Sequence, residues 1–129
     1  MILLDTNALI WFHRDDATLG TEARALIDAA VDVHFSVVSV SELAIKHMLG
    51  RIDLPGGDRF PIAFTDAGLH ELPFTSAHAA AMLQFLGLAR HDPFDRMLIA
   101  QASTERLTLL TADPTLLSLG QTWIVDARA

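Results

Sequence analysis

Short apolar runs alternate along the chain with stretches in which apolar residues recur every three or four positions, the patterns of buried strands and of one-sided helices. Met1-Ile2-Leu3-Leu4 predicts a strand over 2–5, and Ala8, Leu9, Trp11 and Phe12 predict a helix over 6–14. A helix over 21–30 with Thr21 as N-cap follows, then a strand over 33–38, then a helix over 39–50 capped by Ser39 and ended by Gly50. The run from Ile52 to Gly57 reads as a loop by composition. Beyond it the pattern predicts a helix over 59–67, a strand over 69–72, and a helix over 75–87 capped by Thr75 or Ser76. Asp92-Pro93 then starts a helix over 93–104, Leu107 to Thr111 forms a strand, a turn of helix covers 114–119, and Trp123-Ile124-Val125 closes the chain as a last strand.

Strands that alternate with helices predict an α/β fold: one domain over 1–129 with a central, mostly parallel sheet of four to five strands flanked by helices. At 129 residues, with no internal repeat and no dividing linker, the chain is expected to bury a single core, and no second domain is expected.

Carboxylates recur where strands end. Asp5 closes the first strand, Glu42 lies one turn past the strand that begins at Val33, Asp95 sits in the first turn of the Pro93 helix, and Asp113 follows Leu107 to Thr111. In an open α/β sheet the ligand crevice lies outside the carboxyl ends of the strands, so these four are expected to meet. Each also has a structural explanation. Glu42 completes a capping box in Ser39-Val40-Ser41-Glu42, Asp95 suits the helix dipole, Asp113-Pro114 is an ordinary turn or cap, and Asp5 has a cap as its alternative. The conjunction is more specific than any one of them. Clustered carboxylates repel unless protonated or neutralised, and a hard cation, Mg2+ or Mn2+, neutralises them with oxygen ligands.

Other chemistries fit less well. There is no Cys, and the six His residues (13, 34, 47, 70, 78 and 91) show no HExxH motif and no close pair, so zinc is disfavoured and each His reads as structural or surface. Gly56-Gly57 lacks the strand and helix of a phosphate loop, and no Ser sits in a nucleophile elbow. The net charge of −7 argues, taken alone, against nucleic acid as a partner. That argument weakens if the acids hold a cation, which inverts the local field; Arg96, Lys46, Arg51 and Arg90 are then candidate phosphate contacts. The first apolar run is too short for a signal peptide and no run approaches a membrane span, so a soluble, cytoplasmic protein without a membrane partner is expected.

Taken together, LLDTNALIW, SVVSVSELAIKHMLGRIDLP, LPFTSAHA, and DPFDRMLIAQA with LLTAD resemble the PIN-domain ribonucleases, specifically the VapC-type toxins of bacterial type II toxin-antitoxin systems. The resemblance spans nearly the whole chain, and the order and spacing of its short motifs are highly specific. It implies that Asp5, Glu42, Asp95 and Asp113 form an acidic metal site, with Asp5 and Asp95 as the first direct ligands and Glu42 and Asp113 serving a second metal or positioning water as general-base help. It places Thr6, Asn7 and Thr111 in supporting polar positions and Arg96 near the substrate path, and leaves Asp92 mainly a cap. Many relatives carry a His pair just before the DPFD stretch, where this chain has Ala89-Arg90. The activity implied is Mg2+- or Mn2+-dependent hydrolysis of RNA phosphodiester bonds. A cognate antitoxin and a second copy of the chain are the implied partners.

Two readings of other classes compete. One is a catalytically silent binding partner in a two-protein complex. The other is a phospho-acceptor signalling domain, which shares the alternation and the acidic strand ends but wants a Lys at the end of a late strand, whereas the one Lys here, Lys46, falls on an early helix.

Overall fold

A computed structural model describes residues Met1–Ala129. Five strands, β1 (Ile2–Leu4), β2 (Val33–Ser36), β3 (His70–Leu72), β4 (Thr108–Thr111) and β5 (Ile124–Asp126), form one sheet in the order β3-β2-β1-β4-β5. All four pairings are parallel, so the expected mostly parallel sheet is parallel throughout. The chain winds outward from β1 through β2 to β3, then returns to the other side of β1 with β4. The strand order therefore reverses between β1 and β4, and the crevice of the sheet opens there.

Seven helices cover the sheet: α1 (Thr6–Arg14), α2 (Thr21–Ala29), α3 (Val37–Met48), α4 (Ile62–Asp66), α5 (Ser76–Ala81), α6 (Pro93–Glu105) and α7 (Pro114–Leu117). Side-chain alternation in the strands explains why two layers are needed. Ile2 and Leu4 of β1 and Leu110 of β4 face Ala8, Leu9, Ala23, Ile27 and Phe64 on one side. Leu3 and Leu109 face Leu98, Ile99, Ala102 and Leu116 on the other. Both neighbours of β1 are strands and both its faces are covered, which is why Ile2-Leu3-Leu4 is an unbroken apolar run. No helix is long and apolar enough to cross a membrane.

Several expected boundaries move. The strand expected over 33–38 stops at Ser36, whose hydroxyl accepts from the Val38 N–H at 2.9 Å and so starts α3 at Val37. Ser39 is therefore not the cap, and the Ser39–Glu42 capping box does not form. Ser39 is inside the helix with its hydroxyl 2.9 Å from that of Thr6. Thr21 is the first residue of α2 and Gly20 its cap, with no side-chain bond. The helix expected over 75–87 breaks: α5 is capped by Thr75, and the chain continues as a 3-10 stretch, Met82–Leu88, in which Phe85 leaves helical geometry (φ −118, ψ 51) and packs on the core with Leu88. Gly50, at φ 72, follows the end of α3 in the left-handed conformation expected of a helix terminator.

A candidate metal centre at the carboxyl edge of the sheet

Asp5 leaves β1 in extended geometry and turns its carboxylate back to cap α1, accepting from the Ala8 N–H at 2.8 Å. Its own N–H donates to Leu110 O at 3.0 Å, which locks the end of β1 against β4. The side chain is buried, and burial pushes its carboxyl up to about 6, helped by the charge of Glu42 and opposed by hydrogen bonds from Thr111, Ala8 and Ala112. Thr111, the last residue of β4, is buried too; its hydroxyl donates to Asp5 and accepts from the Asp113 N–H at 3.1 Å. One hydroxyl thus sets the spacing of two strand-end acids.

Asp113 caps α7, its Oδ2 accepting from the Leu116 N–H at 2.9 Å. Asp95 lies in the first turn of α6, where Asp92 is the cap, accepting from the N–H groups of Phe94 at 2.9 Å and Asp95 at 3.2 Å. Partial burial, and then the negative charges of Asp92, Asp113, Asp5 and Glu42, push the Asp95 carboxyl up to about 7. Three of those charges come from other elements. All four sequence-predicted acids therefore converge, although not equally.

Glu42 sits in the second turn of α3, buried, with Oε1 accepting from the Thr6 hydroxyl at 2.7 Å and Oε2 paired with Lys46 Nζ at 2.6 Å. Asn7 is exposed on α1. Arg96 forms no ion pair; its Nη1 donates to Ala89 O at 3.0 Å, bracing the turn into α6.

The sequence reading missed His91. Its Nε2 lies 3.3 Å from Asp95 Oδ2 and 3.2 Å from Asp113 Oδ2, and donor atoms of the three residues all fall within 4.8 Å of one another. Nε2 is buried yet makes a hydrogen bond to neither oxygen, so a polar atom is left without a partner among negative charges. The signal was present: His91 stands four residues before Asp95 and directly before the Asp92-Pro93 cap. Taken alone it is one of six histidines without a close pair, the pattern of a structural or surface residue.

The donor set suits a divalent cation. Carboxylates from four elements face one crevice, two are pushed up by burial and mutual repulsion, and an unsatisfied imidazole nitrogen completes the rim. An apolar groove of about 370 Å3 is lined by Val37, Val38, Ser41, Phe74, Phe94 and Met97, from the same helices, α3 and α6, that carry Glu42 and Asp95.

The PIN domain family model matches residues 2–120. The chain belongs to the PIN-domain family. Solved structures of similar fold include a toxin-antitoxin complex from Klebsiella pneumoniae, at 18% identity and a TM-score of 0.68 over 98% of each chain. VapBC2 from Rickettsia felis, bound to a DNA fragment from its promoter, matches at 14% identity and a TM-score of 0.65 over 92% of each chain. FitAcB from Neisseria gonorrhoeae matches at 25% identity and a TM-score of 0.57 over 88% of each. No curated protein matches the chain. The likeness to these neighbours is one of fold.

Proposed function

We propose that this PIN-domain protein is the toxin of a bacterial toxin-antitoxin pair and a Mg2+- or Mn2+-dependent endoribonuclease that hydrolyses RNA phosphodiester bonds. The observation that carries this reading is the convergence of Asp5, Glu42, Asp95 and Asp113 at the switch point, where burial and repulsion leave Asp5 and Asp95 short of positive charge. The family match and the toxin-antitoxin neighbours support it.

When bound, the cation supplies charge neutralisation, orientation of the scissile phosphate and activation of the attacking water. Asp5 and Asp95 would hold it directly, with Asp113 close enough to join them. Thr111 fixes the rotamer of Asp5 and the backbone at Asp113, so the two strand ends keep their spacing when RNA approaches. Thr6, backed by Ser39, holds Glu42 Oε1. Asp113 and Glu42 would position the water and accept its proton as its oxygen attacks phosphorus, the phosphodiester P–O bond breaking as the leaving oxygen takes a proton from solvent. Lys46, half-exposed beside Glu42, offers its ammonium to a phosphate oxygen.

A cognate antitoxin covers the site by laying an apolar segment into the Val37–Met97 groove, with a basic side chain reaching the carboxylates. The toxin acts in the cytoplasm as a two-fold dimer. Pure protein incubated with assorted RNAs should cleave with Mg2+ or Mn2+ and stop in chelator. Expression of the chain alone should slow growth, and co-expression of the adjacent small gene product should relieve it. Folded protein that cuts no RNA in either metal, and leaves growth unaffected, would overturn the proposal.

A further inference from the structure

We infer that His91 is a direct nitrogen ligand of the cation, and that it gives this site a preference for transition-metal dications over Mg2+. The inference rests on the metal-dependent reading above and adds a ligand outside its four acids.

Geometry carries it. The buried Nε2 sits 3.2 and 3.3 Å from one oxygen each of Asp113 and Asp95 but hydrogen-bonds to neither. In an ordinary His–carboxylate pair the ring N–H is aimed at one oxygen, and a buried nitrogen without such a bond carries an uncompensated desolvation cost. Two donors each about 2.1 Å from one ion, at adjacent octahedral corners, lie about 3.0 Å apart, close to both separations found here.

The backbone that carries the trio is also held in place. The His91 N–H donates to Leu88 O at 2.9 Å, Arg96 fixes Ala89 O in the same turn, and the Leu116 N–H holds Asp113 Oδ2. Asp95 stands one turn along from His91 on the rigid start of α6. The backbone that carries the imidazole is thus fixed by contacts that need no metal.

The consequence is selectivity. A site made only of carboxylates and water suits Mg2+, whereas an imidazole nitrogen favours transition metals, with affinity rising from Mn2+ to Co2+. The rival explanation is that His91 is a resident counter-ion, an imidazolium that neutralises Asp95 and Asp113 until a metal displaces it. The two differ in sign: removing a ligand weakens metal binding, and removing a competing cation strengthens it.

The test is calorimetric titration of the full chain with MgCl2, MnCl2 and CoCl2, for wild type, His91→Ala, His91→Gln and Asp95→Asn. His91→Ala should lose roughly tenfold or more in Mn2+ and Co2+ affinity, with a smaller change for Mg2+. His91→Gln, which offers an oxygen, should recover Mg2+ binding without recovering the preference. Pulsed electron paramagnetic resonance of the Mn2+-loaded wild type should show coupling to a directly bound nitrogen, lost in His91→Gln. Unchanged or tighter Mn2+ binding in His91→Ala, or no nitrogen coupling in wild type, overturns the assignment. If wild type binds none of the three ions, the metal-dependent function itself fails. If it binds them, Asp95→Asn weakens binding and the His91 variants leave Mn2+ and Co2+ affinity unchanged, only the role of His91 fails.

Discussion

Lys46 Nζ lies 2.6 Å from Glu42 Oε2, one helical turn along α3, and the Thr6 hydroxyl takes the other carboxylate oxygen at 2.7 Å. Glu42 is therefore the one acid of the four whose charge is already matched by a cationic side chain, while Asp5 and Asp95 face only other acids and neutral donors apart from His91. If Glu42 joins the metal site, Lys46 competes with the metal for it. A partly exposed pair of this kind is worth less than about 1 kcal/mol, so Lys46→Gln should raise Mn2+ affinity by about two- to threefold. Calorimetry on the parent and the variant checks this; identical affinities would place Glu42 outside the ligand set.

Asp5→Asn keeps an oxygen for the Ala8 N–H and removes the charge, and Asp95→Asn does the same at a position where only its backbone takes part in capping. Either change should lower metal-dependent RNA cleavage by roughly a hundredfold or more while leaving the circular dichroism spectrum unchanged. Full activity in both variants, or undiminished parent activity in chelator, would remove these residues from the site.

The features legible in the sequence were those written locally. Asp92-Pro93 and Asp113-Pro114 each pair a capping acid with a first-turn proline, and both helices start there. The apolar run Ile2-Leu3-Leu4 could only be a strand covered on both faces. What stayed hidden depends on partners far along the chain. Val37-Val38 reads as strand by its β-branched residues, and the Ser36 hydroxyl that starts α3 is held by Gln101, 65 residues away. Glu42 looked like the far half of a capping box because its true partner, Thr6, is 36 residues upstream. His91 carried no periodic signal, since a single residue in a turn has no pattern to reveal what it faces.

Gln101 is the polar exception in the apolar surface of α6, fully buried, accepting from Ser36 Oγ at 2.5 Å and donating to Pro73 O at 3.2 Å. These bonds tie the helix bearing Asp95 to the ends of β2 and β3. Gln101→Leu keeps much of the volume but leaves the buried Ser36 hydroxyl without an acceptor and the Pro73 carbonyl without its donor, and should cost about 1–3 kcal/mol. Chemical denaturation should show a lower midpoint with an unchanged slope. A midpoint equal to the parent's would mean that water replaces both bonds.

The two raised carboxylates fix the sign of a pH effect in metal-free protein. Asp5 rises from 3.8 to about 6 and Asp95 from 3.8 to about 7, so between about pH 4 and pH 7 the folded state binds more protons than the unfolded chain. Their contribution to stability is fully present below the unfolded values and is lost as pH rises through 6 and then 7. For Asp5 alone the difference between the two limits is on the order of 3 kcal/mol. Asp16 has the opposite sign: hydrogen bonds from Thr18 hold its carboxyl below the usual range, so its small stabilising effect is lost only in stronger acid. Melting temperature in chelator should therefore rise by several degrees from pH 8 to pH 5 before falling at lower pH. Saturating Mn2+ binds the ionised folded form, so it should raise the melting temperature most at pH 8 and flatten the profile. Asp95→Asn removes one of the converging charges, and should melt above the parent at pH 8 in chelator while gaining less from Mn2+. Differential scanning calorimetry of both proteins across this range decides the matter: a parent whose stability climbs with pH from 5 to 8, together with a variant that melts below it at pH 8, would mean that the carboxylates do not share one site.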